Sequence, residues 1–428
     1  MWERPARPAG EKGNEFEGDG MLVAIGRMIF LDVTSSCKSV TNTGIQRTTR
    51  KIFAELRTRH AVTAICWNLG AGHYHLLGSR ERKILESPFR VLSRAMARPK
   101  WYGENFLAEL RRWIFCKRVR LENELKQGDV LLVPDLFRDG RMDWLPRLIA
   151  QTAARSIAIF HDAADLRLRA ISAGRRARFN RYVESLAAFD FVICISQESC
   201  DHLHRLWLDL GTAPTATCVE KWPIEWEKPK RRATRTPSRN LIVSVGTLEA
   251  RKNYPTLLRA LESLWEEGIT FEFELIGRST GNYGHKILPS IRKMQTGGRP
   301  FRWLKHVDDD RLERAYCECA FTVYPSLMEG FGLPILESLS HGKPCICGDN
   351  GALGEVSAGG GCLFVDQTSW EDLAGAMRRL LSDRALYARL SAEARARKFR
   401  SWSNYIDCLS EHMTAISNDS RGNENQCC

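Results

Sequence analysis

Short apolar runs recur along the chain, each followed by a longer stretch with apolar residues three and four positions apart. In the first half the runs are 28–34, 62–67, 130–135, 156–160 and 191–196; in the second they are 241–246, 271–277, 321–326 and 344–348. They are apolar throughout rather than alternating, which suits strands buried on both faces. Strands that alternate with helices imply parallel sheets. The pattern therefore predicts an α/β chain. Between the halves, residues 228–239 hold six basic residues among twelve, two prolines and no acid. Such a segment neither packs a core nor sustains a helix, so it reads as an exposed linker. The expected organisation is two doubly wound domains, 28–227 and 240–400, whose strands end facing a shared cleft. A helix is expected over 401–413, within a final segment 401–428 that closes in a polar tail.

Length supports two domains, because 428 residues exceed the size at which one core keeps growing. Hydrophobic residues make up 43% and charged residues 27%, as in ordinary globular proteins, and no run reaches the roughly 18 apolar residues that cross a bilayer. Residues 1–27 are polar, without the apolar core of a signal peptide. They read as a disordered extension, or as a stretch ahead of a start at Met21 or Met28. Fourteen cysteines show no framework spacing and are read as reduced thiols of a cytoplasmic protein. Cys317, Cys319, Cys345 and Cys347 fall in two Cys-x-Cys pairs without zinc spacing, so buried small hydrophobes are expected there, and no metal ligand set. Cys427 and Cys428 do not form a prenylation box.

The chain has 63 basic and 51 acidic residues, a formal charge of +12. That excess suits nucleic acid, an anionic membrane or a phosphorylated substrate, and composition does not choose among them. Residues 94–120 combine eight basic and two acidic residues with Trp101, Tyr102, Phe106, Leu107, Leu110, Trp113, Ile114 and Phe115. Three readings are open: a helix lying on anionic lipid, stacking on single-stranded nucleic acid, or packing on the sheet. The first is preferred and predicts peripheral membrane contact. No nucleic-acid recognition motif accompanies the charge, so that partner is not expected.

The densest chemistry lies in 324–342. After an apolar run comes a loop with Glu329, Gly330, Phe331 and Gly332; Leu333 and Pro334 open a helical pattern, Glu337 lies one turn in, and Gly342 follows its end. A glycine-rich loop entering a helix leaves unpaired backbone N–H groups at the positive end of the helix dipole, a surface that binds phosphate. A second strand-to-helix turn, Gly246-Thr247-Leu248-Glu249-Ala250-Arg251-Lys252-Asn253, brings two cations suited to a diphosphate. Asp308-Asp309-Asp310 precedes a helical run and reads as the acidic start of that helix rather than as a metal motif.

Glu329 and Glu337 match the Glu-x7-Glu element of the family 4 retaining glycosyltransferases, and Tyr-Pro-Ser (324–326), Glu-Gly-Phe-Gly-Leu-Pro (329–334) and Gly-Lys-Pro (342–344) resemble the same family. Residues 246–253 resemble its Gly-Thr-Leu-Glu-Pro-Arg-Lys-Asn segment, with Ala250 in place of proline. On the acceptor side, Thr43-Gly44-Ile45-Gln46-Arg47 resembles one branch of the family, and His161-Asp162 ends a strand where relatives commonly place His-Asp.

The resemblance implies the GT-B fold, two Rossmann-like domains across a cleft, and transfer of a sugar from a nucleotide diphosphate with retention of configuration and without a bound metal. It implies donor-sugar contact from Glu329, ribose contact from Glu337, and donor contacts from Gly330, Phe331, Gly332, Leu333, Pro334, Gly246 and Thr247. Arg251 and Lys252 would stabilise the departing phosphates, as an oxyanion hole stabilises developing charge. His161 would sit by the donor sugar, and Gly44 and Arg47 would approach from the acceptor side.

The donor is expected to be GDP-mannose and the acceptor a polysaccharide or lipid-linked oligosaccharide, met at the inner face of the cytoplasmic membrane. No cofactor is expected. A sugar-nucleotide epimerase or hydrolase would instead consume donor without acceptor, and a non-catalytic binder would hold donor without turnover.

Overall fold

The computed structural model describes residues 27–39, 44–86, 116–163, 166, 172–224, 240–279, 281–305 and 307–418. The first lobe carries β1 (Met28–Asp32), β2 (Ala61–Asn68), β3 (His73–Leu76), β4 (Arg118–Val119), β5 (Val130–Val133), β6 (Arg155–Phe160), β7 (Phe191–Cys194) and β8 (Ala216–Val219). The second carries β9 (Leu241–Val245), β10 (Glu272–Ile276), β11 (Phe301–Leu304), β12 (Phe321–Tyr324), β13 (Cys345–Cys347) and β14 (Cys362–Phe364). Their sheets run β4-β3-β2-β1-β5-β6-β7-β8 and β11-β10-β9-β12-β13-β14. The first strand of each lobe is central, so the strand order reverses beside it. Ligands of open α/β sheets bind at such a point, outside the carboxyl ends of the strands.

The central strands are apolar on both faces because helices cover both. β5 is Val-Leu-Leu-Val and buried throughout, as are β12 and β13. A continuous apolar layer runs from Ile29, Leu31 and Ile159 through Trp222 and Phe331 to Ile335, Leu339 and Cys345, joining the lobes across the base of the cleft. After the helix Arg384–Ala396 the chain returns to the first lobe, where the helix Trp402–Asn418 packs on the helix Gly44–Leu56. Polar contacts fix it there: Arg59 Nη2 donates to Ser403 Oγ at 2.8 Å, His60 meets Ser410 Oγ at 2.9 Å, and His412 meets Glu220 at 2.9 Å.

Three expectations need correction. The run 28–34 stops as a strand at Asp32. Thr34–Lys38 turns into a short helix because Asp135 accepts from the Ser35 and Ser36 N–H groups at 2.9 and 3.1 Å, satisfying its first donors. Of the segment 94–120, residues 94–115 lie outside the described residues. At 116–120 the helical pattern gives way to β4, which pairs antiparallel with β3 and buries Val119 while exposing Arg118. Finally, β3, β8, β11 and β14 come from stretches too short or too polar to stand out, such as His-Tyr-His-Leu.

Candidate active site

The catalytic candidates of the second lobe form one hydrogen-bonded cluster. The turn after β9 becomes a single 3-10 turn, Ala250–Lys252, which ends on Asn253 in the left-handed region at φ 51°. Arg251 and Lys252 thereby point to the loop after β12, where both pair with Glu329; the Lys252 ammonium lies 2.6 Å from Glu329 Oε1. Ser326 Oγ donates to the same carboxylate, and Lys252 donates to the Tyr324 hydroxyl. Main chain fastens the loops together as well, since Leu327 N–H donates to Arg251 O at 2.7 Å.

Charge follows this geometry. Burial raises the pKa of the Glu329 carboxyl, but Arg251 and Lys252 outweigh it and hold the group at about 2. Burial pulls the Lys252 ammonium down against the opposing pull of Glu329. Partial burial lowers the Arg251 guanidinium, yet Glu329, Asp162 and Glu249 push it well above its ordinary value. Two cations thus converge on one carboxylate, poised for a ligand that carries more negative charge than Glu329 does.

Gly246 and Gly277 let the flanking loops close in. A Cβ on Gly246 would stand 2.8 Å from the Tyr254 hydroxyl, which donates to Gly246 O at 2.9 Å. A Cβ on Gly277 would fall 1.9 Å from Gly246 O. Thr247 is half-buried between these turns, and Leu248 N–H donates to Arg278 O at 2.8 Å.

The loop from Gly330 to Pro334 meets the first lobe directly. Gly330 stands so close to His161 that a Cβ would lie 2.6 Å from His161 O. Its own carbonyl accepts from Ser196 Oγ at 2.7 Å and Ser199 Oγ at 3.2 Å. Gly332 caps the helix Leu333–Ser340 in the left-handed region, φ 110°, with Pro334 in its first turn, so the chain enters the helix without an i−4 bond to lose. Phe331 is buried edge-on to Trp222, with ring centroids 6.0 Å apart, and a Cβ on Gly44 would stand 3.2 Å from Leu333 Cδ1.

His161 completes this contact. Its Nε2 donates to Pro134 O at 2.7 Å, its ring lies 5.2 Å from that of Trp222, and its buried Nδ1 has no hydrogen-bond partner among the described residues. Burial pushes the imidazole down to about 4, so it is neutral near pH 7 with Nδ1 as an acceptor. Glu337 stands apart from the cluster of Glu329. It is 2% exposed, accepts from the Tyr316 hydroxyl at 2.8 Å, and pairs with Arg47 Nη1 at 2.9 Å. Arg47 therefore reaches from the first lobe to an acid of the second. The acids at 308–310 begin the helix Asp309–Glu318, where Asp308 caps Arg311 N–H at 2.7 Å.

Several partners went unread in the sequence. Tyr324, Ser326 and Tyr316 hold the charged groups by their hydroxyls, Ser196 and Ser199 hold Gly330, and Trp222 bridges His161 and Phe331. Ser196 had a visible signal, a serine at a strand end opening a helix, where it caps Ser199 N–H. Trp222 lies between β8 and the linker and had none.

Residues 227–397 match the family described as glycosyl transferases group 1. O-antigen chain mannosyltransferase B of Escherichia coli is 27% identical over 283 residues, covering 61% of this chain and 70% of that protein. The serotype-specific mannosyltransferase WbdA of Escherichia coli is 24% identical over 370 residues, 77% of this chain but only 40% of that longer protein. Sucrose-phosphate synthase from Thermosynechococcus elongatus superposes with a TM-score of 0.67 over 92% of this chain and all of its own, at 17% identity, a likeness of fold. The two doubly wound lobes have the GT-B fold, and over residues 227–397 the chain is similar to glycosyl transferases group 1.

Proposed function

We propose that the chain transfers mannose from GDP-mannose to a polysaccharide or lipid-linked oligosaccharide, with retention of configuration and without a catalytic metal. The observation that carries this reading is the pairing of Arg251 and Lys252 on Glu329 beside the Gly330–Pro334 loop. A nucleotide diphosphate has the charge to draw both cations and the oxygens to take the loop N–H groups. As the glycosidic bond lengthens, negative charge gathers on the leaving phosphate, and donors fixed there in advance lower the barrier. Two side-chain cations supply what a divalent ion would otherwise supply. Glu329 then has oxygens for sugar hydroxyls, and Glu337 for the ribose. His161, neutral and with a buried Nδ1, accepts a hydrogen bond from a hydroxyl without serving as a general base, since the acceptor proton can pass to the leaving phosphate.

The mannosyltransferase relatives support the choice of sugar. The basic, aromatic sequence 94–115 supports an acceptor at an anionic membrane surface, and no helix among the described residues is long and apolar enough to cross one. The deciding experiment is a thermal-shift panel of nucleotide diphosphates and their sugars, followed by proton NMR of the product formed in EDTA. GDP-mannose should stabilise most, and the product should keep the donor's anomeric configuration. Inversion, or a requirement for added metal, refutes the mechanism; donor hydrolysis unaffected by any glycan acceptor favours a hydrolase.

A further inference from the structure

Away from the cluster of Glu329, four side chains meet beneath the loop that follows β1. Cys37 lies at the end of the helix Thr34–Lys38, Cys66 in β2, His75 in β3, and Glu81 in the first turn of the helix Ser79–Glu86. Cys66 and His75 are direct partners in the antiparallel β2–β3 ladder, which sets their side chains on one face. The two sulphurs and a Glu81 oxygen all lie within 4.8 Å of one another. Cys66 Sγ is 3.9 Å from Glu81 Oε1, and His75 Nε2 is 3.9 Å from the same oxygen. The second oxygen, Oε2, accepts from Gly78 N–H at 3.0 Å and so fixes the carboxylate's orientation. All four residues are buried, none more than 4% exposed.

Zinc sits about 2.3 Å from sulphur and about 2 Å from nitrogen or oxygen, which places tetrahedral ligand atoms roughly 3.3–3.8 Å apart. The two 3.9 Å separations from Glu81 need only a few tenths of an ångström of contraction, whereas the imidazole, outside the set whose atoms all lie within 4.8 Å of one another, must swing toward the sulphurs. Two thiols, an imidazole and a carboxylate are also a donor set that suits zinc over hard cations. We propose that Cys37, Cys66, His75 and Glu81 bind one zinc ion as a closed structural site that fastens the loop after β1 to the outer strands of the first sheet. Two thiolates and a carboxylate would exceed the charge of the ion by one, and the Lys38 ammonium, held at 2.6 Å by Trp67 O, stands beside them to balance it. With four protein ligands no position is left for substrate, and the ion takes no part in transfer. Its effect reaches the cleft through Arg50, whose Nη2 donates to Ser36 O and Ser39 O at 2.8 and 2.6 Å and ties the helix bearing Arg47 to the same loop.

The test is elemental analysis of the full chain purified under reducing conditions from zinc-supplemented growth. It should carry about one zinc per chain, falling below about a tenth in Cys66→Ser and in Glu81→Gln, with Cys408→Ser unchanged. Cobalt loading should give the thiolate charge-transfer band and strong ligand-field bands of a tetrahedral site, lost in Cys66→Ser. Should those variants not fold, the wild type still decides: zinc should shield Cys37 and Cys66 from alkylation, and a chelator should expose both and lower Tm. A folded wild-type chain that holds neither zinc nor cobalt overturns the site. So does Cys66→Ser with full zinc content, or a Cys37–Cys66 disulfide in freshly isolated protein.

Discussion

Arg47 and Glu337 stand 2.9 Å apart across the cleft although 290 residues separate them in the chain. Glu337 is nearly inaccessible and Arg47 14% exposed, so neither charge is well hydrated on its own. Removing one member of such a pair leaves the other buried without its countercharge. Arg47→Ala and Glu337→Ala should each lower stability by about 2–3 kcal/mol, with a coupling energy above about 1 kcal/mol in the double-mutant cycle, measured by urea unfolding. Additive losses would show that the pair carries no energy of its own.

Lys252 lies between Tyr324 and Glu329 and is buried with them. Lys252→Ala should reduce kcat by about 10²–10³-fold with a much smaller change in donor KM, as expected for a group whose contact strengthens while charge develops. Lys252→Arg should not restore the rate, because a planar fork does not replace a compact ammonium there. Steady-state kinetics beside a melting curve separates this outcome from unfolding.

The neutral, buried His161 predicts an acid-labile contribution. Its folded pKa of about 4 lies below the ordinary 6.5, so its stabilisation is complete above pH 6.5 and is lost as pH falls toward 4. Between pH 7 and 5 this amounts to about 2 kcal/mol. Asp135 opposes it: burial, then the neighbouring Asp32 charge, raise its carboxyl to about 6, so it favours the fold by about 1 kcal/mol more at pH 5 than at pH 7. Wild type alone will therefore change little. His161→Phe should abolish the His161 loss and gain stability on acidification, while Asp135→Asn should lose more than wild type. Urea midpoints at the two pH values provide the measurement.

Gly330→Ala should be costly although it removes no charged group. The new methyl would stand 2.6 Å from His161 O and 2.7 Å from Asp162 Cβ, so backbone in one lobe must move. Overpacking of this kind costs about 1–3 kcal/mol. A reduced Tm together with a fall in kcat at saturating donor is expected, and wild-type values in both would show that the two lobes yield freely there.

The sheets were legible because parallel strands covered on both faces must be apolar throughout, as Val130–Val133 and Phe321–Tyr324 are. Strands at or next to an edge lack that constraint, and His73–Leu76 and Arg118–Val119 left no comparable mark. Local sequence also exposed the loops around Glu329 and Lys252, because glycines must accompany close turns. It did not show that Arg251 and Lys252 would meet Glu329, nor that Arg47 would select Glu337, since pairing across 77 to 290 residues is decided by topology. Cys37, Cys66, His75 and Glu81 were hidden for the same reason. They come from four separate elements, and no spacing between them marks a ligand set.

The return of the chain to its first lobe has a mechanical consequence. Arg400 pairs with Glu220 and donates to Lys221 O at 3.3 Å, just past the end of β8 and ahead of the first passage to the second lobe. On the other side of the second passage, Arg397 is held by Val356 O at 2.8 Å. Both strands of the connection are therefore gathered at one place on the first lobe, which makes that place a pivot. A swing of the lobes about it would part the carbonyl of Gly330 from Ser196 and Ser199.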